Sequence, residues 1–224
     1  MNKLTIPIAF TVITTGICTC VNANELYFGV QLTGLQQKYE LSGKTDQVTS
    51  RKAGTKNITS MGPGFYGGYL ADVGHGFLVG SEIGVNFSSG KASLYAKDFE
   101  RFSYDVTMRR KLSINPAFII KYNLTDRVSP CCKLGLDSAR YEFSSISSSR
   151  RRERLHKRKI TLTRFESSVG LEGKVTDAFS VRAEISRSFG KGKPIMHDDH
   201  RFQVRTIGRI GPTHCVRFGL SYKI

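Results

Sequence analysis

Positive charge is concentrated in one short stretch of the sequence. Between positions 150 and 159 the chain carries seven basic residues and a single acidic one, Glu153. The basic residues are Arg150, Arg151, Arg152, Arg154, Lys157, Arg158 and Lys159. Clustered guanidinium and ammonium groups bind phosphate, sulfate and carboxylate groups through charge-assisted hydrogen bonds. The stretch therefore predicts a polyanion-binding loop.

Residues that could support catalysis or hold a metal ion are sparse. The five histidines lie at 75, 156, 197, 200 and 214, and none is followed two positions later by the serine of a deacylase-type pair. The segment His197-Asp198-Asp199-His200 is the most suggestive cluster, either for a metal ion or for an Asp/His proteolytic pair. Polar loops of this composition are more often simply solvated. We predict no catalytic residue, no metal site and no cofactor.

A further set of charged residues alternates with apolar ones along the chain, as Arg217 does between Val216 and Phe218. The set comprises Glu82, Lys121, Lys133, Arg164, Glu166, Arg182, Glu184 and Arg217. A period of two places the charged side chains on one face of a β-strand and the apolar ones on the other. An isolated ion in an enclosed space costs on the order of several kcal/mol. If the charged face lines an interior, we expect these side chains to form an ion-pair network.

The elements that would position these residues are short alternating strands, and the last one, Val216–Ile224, is the clearest. Eight such segments can be read from the sequence. They are Leu26–Thr33, Gly62–Ala71, Phe77–Phe87, Ile114–Tyr122, Cys132–Asp137, Thr163–Glu172, Val181–Ser186 and Val216–Ile224. Segments of about 10 residues that alternate in this way are typical of a β-barrel wall. Within the fourth segment Pro116 lacks a backbone N–H, which predicts a bulge or local irregularity there.

The connections between these segments alternate between long and short. Short turns are predicted at Asp72–Gly76, Leu124–Pro130 and Lys174–Ala178. Long polar loops are predicted at Ser42–Lys56, Ser88–Tyr104, Ser144–Lys159 and Phe189–Ile210. Membrane barrels have short turns on one side and long loops on the other. The sequence therefore predicts an all-β fold, an eight-stranded antiparallel up-and-down transmembrane β-barrel.

Two observations favour a membrane barrel over a soluble, lipocalin-like barrel, whose apolar face would point inward. Glycines at 80, 84, 135, 170 and 219 interrupt the polar face, as expected where side chains compete for room in a narrow interior. Aromatic residues collect near the predicted short turns, where an interfacial girdle would lie. They are Tyr69, Phe77, Tyr122, Phe179 and Tyr222.

The first 23 residues have the pattern of a secretory signal peptide. Lys3 precedes an apolar run of about 15 residues, too short for a membrane-spanning helix of ~20 residues, and Val21-Asn22-Ala23 offers small residues for cleavage. The predicted mature chain, 24–224, keeps three cysteines, Cys131, Cys132 and Cys215. We expect Cys215 to form no disulfide with the other two. The net charge of +16 favours anionic partners, but export argues against nucleic acid.

Several short motifs resemble those of the OmpA-like and opacity-type outer-membrane β-barrel family. They are Asn123-Leu124-Thr125-Asp126, Lys174-Val175-Thr176-Asp177, Gly80-Ser81-Glu82-Ile83-Gly84 and Arg182-Ala183-Glu184. The closing strand, with Tyr222 third from the end, also looks like the segment that the outer-membrane assembly machinery reads, although Ile224 stands where phenylalanine is usual. The resemblance implies location in the outer membrane of a Gram-negative bacterium.

The expected role is structural and surface-interacting, not enzymatic. The basic stretch would contact phosphates of lipopolysaccharide and outer-membrane lipid, or would support adhesion to host-surface polyanions. The alternatives are a small porin-like pore, in which the charged residues act as a gate, and a lipid-modifying outer-membrane enzyme. Sequence alone leaves these alternatives open.

Overall fold

The computed structural model describes residues 24–45, 48–88, 90–97, 102–149, 152–190, 195–199 and 204–224. These residues form ten β-strands. The strands are β1 (Asn24–Thr45), β2 (Val48–Gly74), β3 (Phe77–Phe87), β4 (Lys91–Lys97), β5 (Phe102–Tyr122), β6 (Val128–Ser149), β7 (Arg152–Lys174), β8 (Phe179–Phe189), β9 (Ile195–Asp199) and β10 (Val204–Lys223). The described residues include no helix that is long and apolar enough to cross a membrane. The predicted signal peptide lies outside the described residues.

Eight of the strands close into an antiparallel barrel in the order β1-β2-β3-β5-β6-β7-β8-β10. Closure is made by β1 and β10, which pair from Tyr27 and Lys223 at one end to Thr45 and Val204 at the other. The two remaining strands are short: β4 pairs with β5, and β9 pairs with β10. The predicted eight-stranded antiparallel barrel is therefore confirmed.

The three predicted short turns lie together at one end of the barrel, which we call the turn end; the opposite end is the loop end. The first turn passes through Gly74, His75 and Gly76, all with positive φ. The other two span residues 124–127 and 175–178. In these, the hydroxyl of Thr125 accepts from the Val128 N–H and that of Thr176 accepts from the Phe179 N–H, each at 3.0 Å.

The strands are much longer than predicted, so most of the expected polar loops are wrong. Within 42–56 only positions 46 and 47 fall outside strands β1 and β2, and the 88–104 and 189–210 stretches include β4 and β9. A transmembrane β-strand needs ~9–11 residues. Only β3 and β8, of 11 residues each, have that length; β2 has 27 and β7 has 23. The longer strands therefore extend the wall past the membrane-spanning zone at the loop end.

Near the turn end, apolar side chains face outward. On β1, Leu26, Phe28, Val30 and Leu32 are about half exposed, while Tyr27 and Gln31 between them are buried in the lumen. The other strands repeat the pattern. Outward-facing residues include Phe65, Ile83, Phe118, Leu134, Val169, Ile185 and Phe218. At the turn-end rim, the rings of Phe77 and Tyr122 lie 4.7 Å apart and those of Phe179 and Tyr222 lie 5.1 Å apart. This outward apolar belt is the surface that a bilayer would cover.

Toward the loop end the polarity of the two faces reverses, so that apolar side chains point inward and charged ones point outward. A buried apolar cluster fills the interior there, which we call the outer core. It consists of Tyr39, Ile58, Met108, Ala139, Tyr141 and Ile210, with Phe143, Ile160 and Leu162 packed against it. Outward positions at the same level, such as Lys38, Arg140 and Lys159, are exposed and charged. This part of the wall has the pattern of a water-soluble barrel, with an apolar interior and a polar exterior. The reversal of polarity marks where the apolar belt ends.

Because β3 and β8 end early, the wall above them divides into two sheets. One is β10-β1-β2 and the other is β5-β6-β7, extended at their edges by β9 and β4. β3 and β8 are the third and seventh strands around the barrel, so the interruptions lie opposite each other. The outer core is the contact between these sheets, with Tyr39 and Ile210 on the first and Met108 and Tyr141 on the second.

Two of the register shifts between strands lie at the level of the reversal, and none lies at Pro116. The pairs Ile114–Ser138 and Ala117–Gly135 keep one register on either side of Pro116, so its missing N–H is accommodated without an inserted residue. The register between β5 and β6 shifts instead at Lys111. A second shift lies between β1 and β10, between Gln37 and Tyr39. No bulge lies at Pro116, but the pairing of β5 with β6 is interrupted at positions 115 and 116, which is the local irregularity predicted there.

Candidate functional site

The eight charged residues singled out from the sequence all point into the lumen. Their exposed fractions range from 2% for Glu184 to 7% for Glu82 and Glu166. Alternation along six strands positions them, because each strand turns its apolar residues outward and its polar residues inward. Lys121 pairs near the turn end with Glu172, at 2.6 Å. The other seven lie in two connected groups.

Glu82 is the centre of the first group. Lys133 Nζ donates to Glu82 Oε1 at 2.6 Å, and Arg182 Nη1 donates to Oε2 at the same distance. The hydroxyl of Tyr27 donates to Oε2 at 2.8 Å. The Arg182 guanidinium also lies over the ring of Tyr66, 4.2 Å from its centroid, where a cation is attracted by the aromatic face. The Glu82 carboxylate is thus fully compensated despite its burial.

A continuous chain of ion pairs leads from Glu82 across the barrel. Lys133 also contacts Glu184, and Arg217 bridges Glu184 at 2.6 Å and Glu166 at 2.7 Å. These residues come from five different strands, β3, β6, β8, β10 and β7. The chain of pairs therefore ties together most of the wall.

Asp137 is the centre of the second group and has an exposed fraction of 0%. Arg110 Nη2 donates to it at 2.6 Å and Arg164 Nη2 at 3.2 Å. Asn115 joins the two groups, since its amide nitrogen donates to Asp137 at 3.1 Å and to Glu166 at 3.3 Å.

Arg110 was missed by the sequence reading. Counting by twos from Asn115 and Ser113, which face inward, would place Lys111 inward and Arg110 outward. The register shift at Lys111 exchanges the two, so Arg110 is buried and Lys111 is exposed. No sequence signal marks this bulge.

The lumen is filled rather than open along the described part of the barrel. A cavity of about 20 Å³ lies among Glu82, Asn115, Lys133, Glu166 and Arg217. A second, of about 10 Å³, lies nearer the loop end. Holding one water molecule takes roughly 10–15 Å³ of such space. Each cavity therefore has room for about one water molecule.

The described residues offer little for metal or thiol chemistry. No group of three or more His, Cys, Asp or Glu side chains in this part of the chain is arranged to hold a metal ion. His197, Asp198 and Asp199 belong to β9, and His200 lies outside the described ranges. Cys131, Cys132 and Cys215 are all free thiols, so Cys215 forms no disulfide with the other two.

The basic stretch is not the loop that was predicted. Arg152, Arg154, Lys157, Arg158 and Lys159 lie in β7, paired with residues 142–149 of β6; Arg150 and Arg151 lie outside the described residues. The side chains of 157, 158 and 159 are exposed. A strand at this height needs no apolar residue on its outer face because that face meets water, which is why its composition reads as a loop.

Comparisons with known proteins support the fold alone. No family model and no curated protein matches the chain. Among solved structures it is similar to the outer membrane protein OprG from Pseudomonas aeruginosa, with 13% identity, a TM-score of 0.61, and coverage of 91% of this chain and 97% of that one. The fold is that of an eight-stranded outer-membrane β-barrel.

Two further outer-membrane barrel structures align over most of the chain with lower scores. Neisserial surface protein A has 11% identity and a TM-score of 0.42, covering 91% of this chain and all of that one. The attachment invasion locus protein Ail of Yersinia pestis has 13% identity and a TM-score of 0.38, covering 88% and 99%. Membership of the OmpA-like or opacity-type family stays a prediction, because no family model matches.

Proposed function

We propose that this protein resides in the outer membrane of a Gram-negative bacterium and is a non-enzymatic anchor that presents a basic surface to polyanions. The observation that carries the proposal is the reversal of facing along the wall. An apolar belt at the turn end gives way to an outer surface rich in Lys and Arg above it. A bilayer covering the belt would leave the basic surface outside the cell.

The filled lumen supports the anchoring role. Ion pairs occupy the membrane level, from Glu82 to Asp137, and the outer core occupies the level above. Moving one member of a buried ion pair away from the other leaves an uncompensated charge in the lumen. Such a network therefore favours one fixed arrangement of its side chains. The closing strand, which ends β10 with its apolar face outward, is in our proposal the segment read by the assembly machinery.

The basic run from Arg150 to Lys159 supports the surface role. The partners we propose are lipopolysaccharide and, as the alternative of the same chemistry, sulfated or carboxylated polysaccharides of a host surface. Each Lys or Arg near an anionic surface contributes ~1 kcal/mol. Seven such charges are sufficient for binding even where individual contacts are weak.

Heparin binding tests this proposal. In one variant all seven basic residues of the run become Gln; in the matched control the five arginines become Lys, which keeps the charge. Heparin affinity should fall at least ~10-fold in the Gln variant and little in the control, and wild-type binding should weaken with salt over a screening length of ~8–10 Å. Equal affinity of the Gln variant and wild type would reject the proposal.

A narrow pore is the second candidate. The observation in its favour is the water-sized cavity lined by Glu82, Lys133, Glu166 and Arg217, which a rearrangement of the ion pairs could extend. Planar-bilayer recordings distinguish the two: an anchor should give no conductance steps, and reproducible steps would favour the pore. Mass analysis of lipid A with and without the protein tests the proposal that it modifies no lipid.

A further inference from the structure

A cluster of basic side chains points sideways from the wall of β5, β6 and β7, just beyond the apolar belt. We call it the side patch; it consists of Arg109, Lys111, Arg140, Lys157 and Lys159. In the strand register, Glu142 of β6 lies directly opposite Arg109 of β5 on one side and Lys159 of β7 on the other. Directly opposed residues of antiparallel strands point to the same side of the sheet. All five basic side chains are exposed.

The inner members of the side patch, Lys111 and Arg140, lie close to the level of a lipid headgroup layer. Directly toward the turn end, Ile114, Leu136 and Phe165 face outward with exposed fractions of 42%, 42% and 49%. Arg140 is four residues beyond Leu136 on β6, or roughly 10 Å along the barrel axis for a tilted strand. The headgroup layer adds ~5–8 Å on each side of the hydrocarbon. By this spacing Arg140 lies near the outer edge of the layer, where its long side chain can reach lipid phosphates, and Lys159, six residues beyond Phe165, lies farther out.

The charge of the side patch is unbalanced. Among the side chains described on its outward face, Glu142 is the only carboxylate. Lys111 Nζ lies 2.8 Å from it, and this hydrogen bond, with the charges of Lys159 and Lys157, lowers the pKa of the Glu142 carboxyl below its usual range. One ionised acid among five cations leaves net positive charge facing outward.

The opposite wall differs at the same height. On β1, Lys38 is paired with Glu40 at 3.5 Å, and Arg209 lies across from Glu40 on β10. Among the side chains described at this height, positive charge is thus less balanced on β5, β6 and β7 than on β1 and β10.

We propose that the side patch binds the phosphate groups of the phosphorylated glycolipid that surrounds the barrel in the outer leaflet. The proposal rests on the outer-membrane location and on the polyanion chemistry proposed above, and it assigns a second site that shares Lys157 and Lys159 with the basic run. Adjacent strands lie ~4.8 Å apart, and Arg109 and Lys159 lie one strand to either side of Glu142. Their side chains can therefore both bind one phosphate group, or each can bind its own. The sideways aim and the adjoining apolar belt suit a ligand whose acyl chains pack on that belt.

The test compares two double variants that lose the same charge. The patch variant is Lys111→Gln and Arg140→Gln, which leaves the 150–159 run intact. The control variant is Lys38→Gln and Arg209→Gln, on the opposite wall. Folded protein in detergent micelles, checked by its heat-modifiable gel migration, is titrated with diphosphoryl lipid A, dephosphorylated lipid A and heparin, with bound lipid counted by native mass spectrometry.

We expect the patch variant to bind diphosphoryl lipid A at least ~10-fold more weakly than wild type and the control variant to bind within about twofold. Wild type should lose a similar factor with dephosphorylated lipid A. Heparin binding of the patch variant should match wild type, because the run is unchanged.

Three results would overturn the assignment. The first is normal lipid A binding by the patch variant, and the second is an equal loss of lipid A affinity in both variants. The third is wild-type affinity that is the same for diphosphoryl and dephosphorylated lipid A. A parallel fall in heparin affinity would mean a general polyanion surface and would also overturn it. Wild-type heparin binding reports separately on the proposed function, which fails only if that binding does not depend on the run.

Discussion

Arg217 Nη1 donates to Glu184 Oε1 across 2.6 Å in the middle of the lumen, where both side chains are buried. The same guanidinium donates through Nη2 to Glu166 at 2.7 Å. One cation from β10 thus holds carboxylates from β8 and β7. Because β10 is also the strand that closes the barrel on β1, this contact links the closing strand to the charged interior as well as to its backbone neighbours.

Arg217→Met should therefore destabilise the barrel strongly. Removing one partner of a buried ion pair costs ~3–5 kcal/mol, because the remaining charge loses its compensation. Urea unfolding of micelle-refolded protein, followed by circular dichroism, measures the free energy of unfolding. Arg187→Met, on the exposed face of β8, is the control and should change it by less than ~0.5 kcal/mol. A loss below about 1 kcal/mol for Arg217→Met would mean that the bridge contributes little.

Two lumen-facing glycines of β3 should respond differently to alanine. A Cβ at Gly80 would lie 1.8 Å from the backbone oxygen of Tyr69, whereas at Gly84 the nearest atoms are 3.8 Å away. Overpacking of this kind costs ~1–3 kcal/mol. Gly80→Ala should lose that much unfolding free energy, and Gly84→Ala should be neutral or gain up to ~1 kcal/mol through reduced freedom of the unfolded chain. Equal effects at the two sites would contradict the packing described for β3.

The outer core should contribute strongly to the stability of the loop end. Tyr141 has an exposed fraction of 0% and contacts both sheets at the loop end. Tyr141→Ala should lower the unfolding free energy by ~3–5 kcal/mol, while Thr161→Ala, exposed on the neighbouring strand, should leave it within ~0.5 kcal/mol. If the two variants unfold at the same urea concentration, the outer core is not tightly packed.

The cysteines should remain unpaired in the folded monomer. In the strand register, Cys131 lies opposite Lys121 and Gly170 near the turn end, whereas Cys215 lies opposite Leu35 and Ser186 toward the loop end. A disulfide requires Cα atoms within ~7 Å. Non-reducing peptide mapping of alkylated protein should recover no peptide that joins Cys215 to Cys131 or Cys132. Recovery of such a peptide would contradict the register of β10.

The sequence predicted the membrane-level half of the fold well, for a physical reason. Where lipid covers the wall, outward residues must be apolar, so alternations such as Leu26 to Thr33 and Val216 to Ile224 stand out. The same alternation indicated every lumen-facing charge named at the outset. The eight-strand count and the three short turns followed from it.

The loop-end half escaped prediction because water lies outside the wall there. Outward positions such as Lys157 and Lys159 carry no apolar signal, and inward ones such as Ile160 and Leu162 alternate with charge in a composition typical of loops. The shift at Lys111 adds a change of phase that no residue type marks. The side patch therefore could not be seen from the sequence, since its members come from three strands and meet only through the register.

The two-sheet arrangement at the loop end has a consequence for how the chain assembles. Tyr39 belongs to the first strand and Ile210 to the last, and both are needed to cover Tyr141 and Met108 on the facing sheet. Until β10 is in place, the apolar side of β5-β6-β7 has no complete cover. Barrel closure and burial of the outer core are therefore coupled, and any chain that has not yet closed exposes this apolar surface to water.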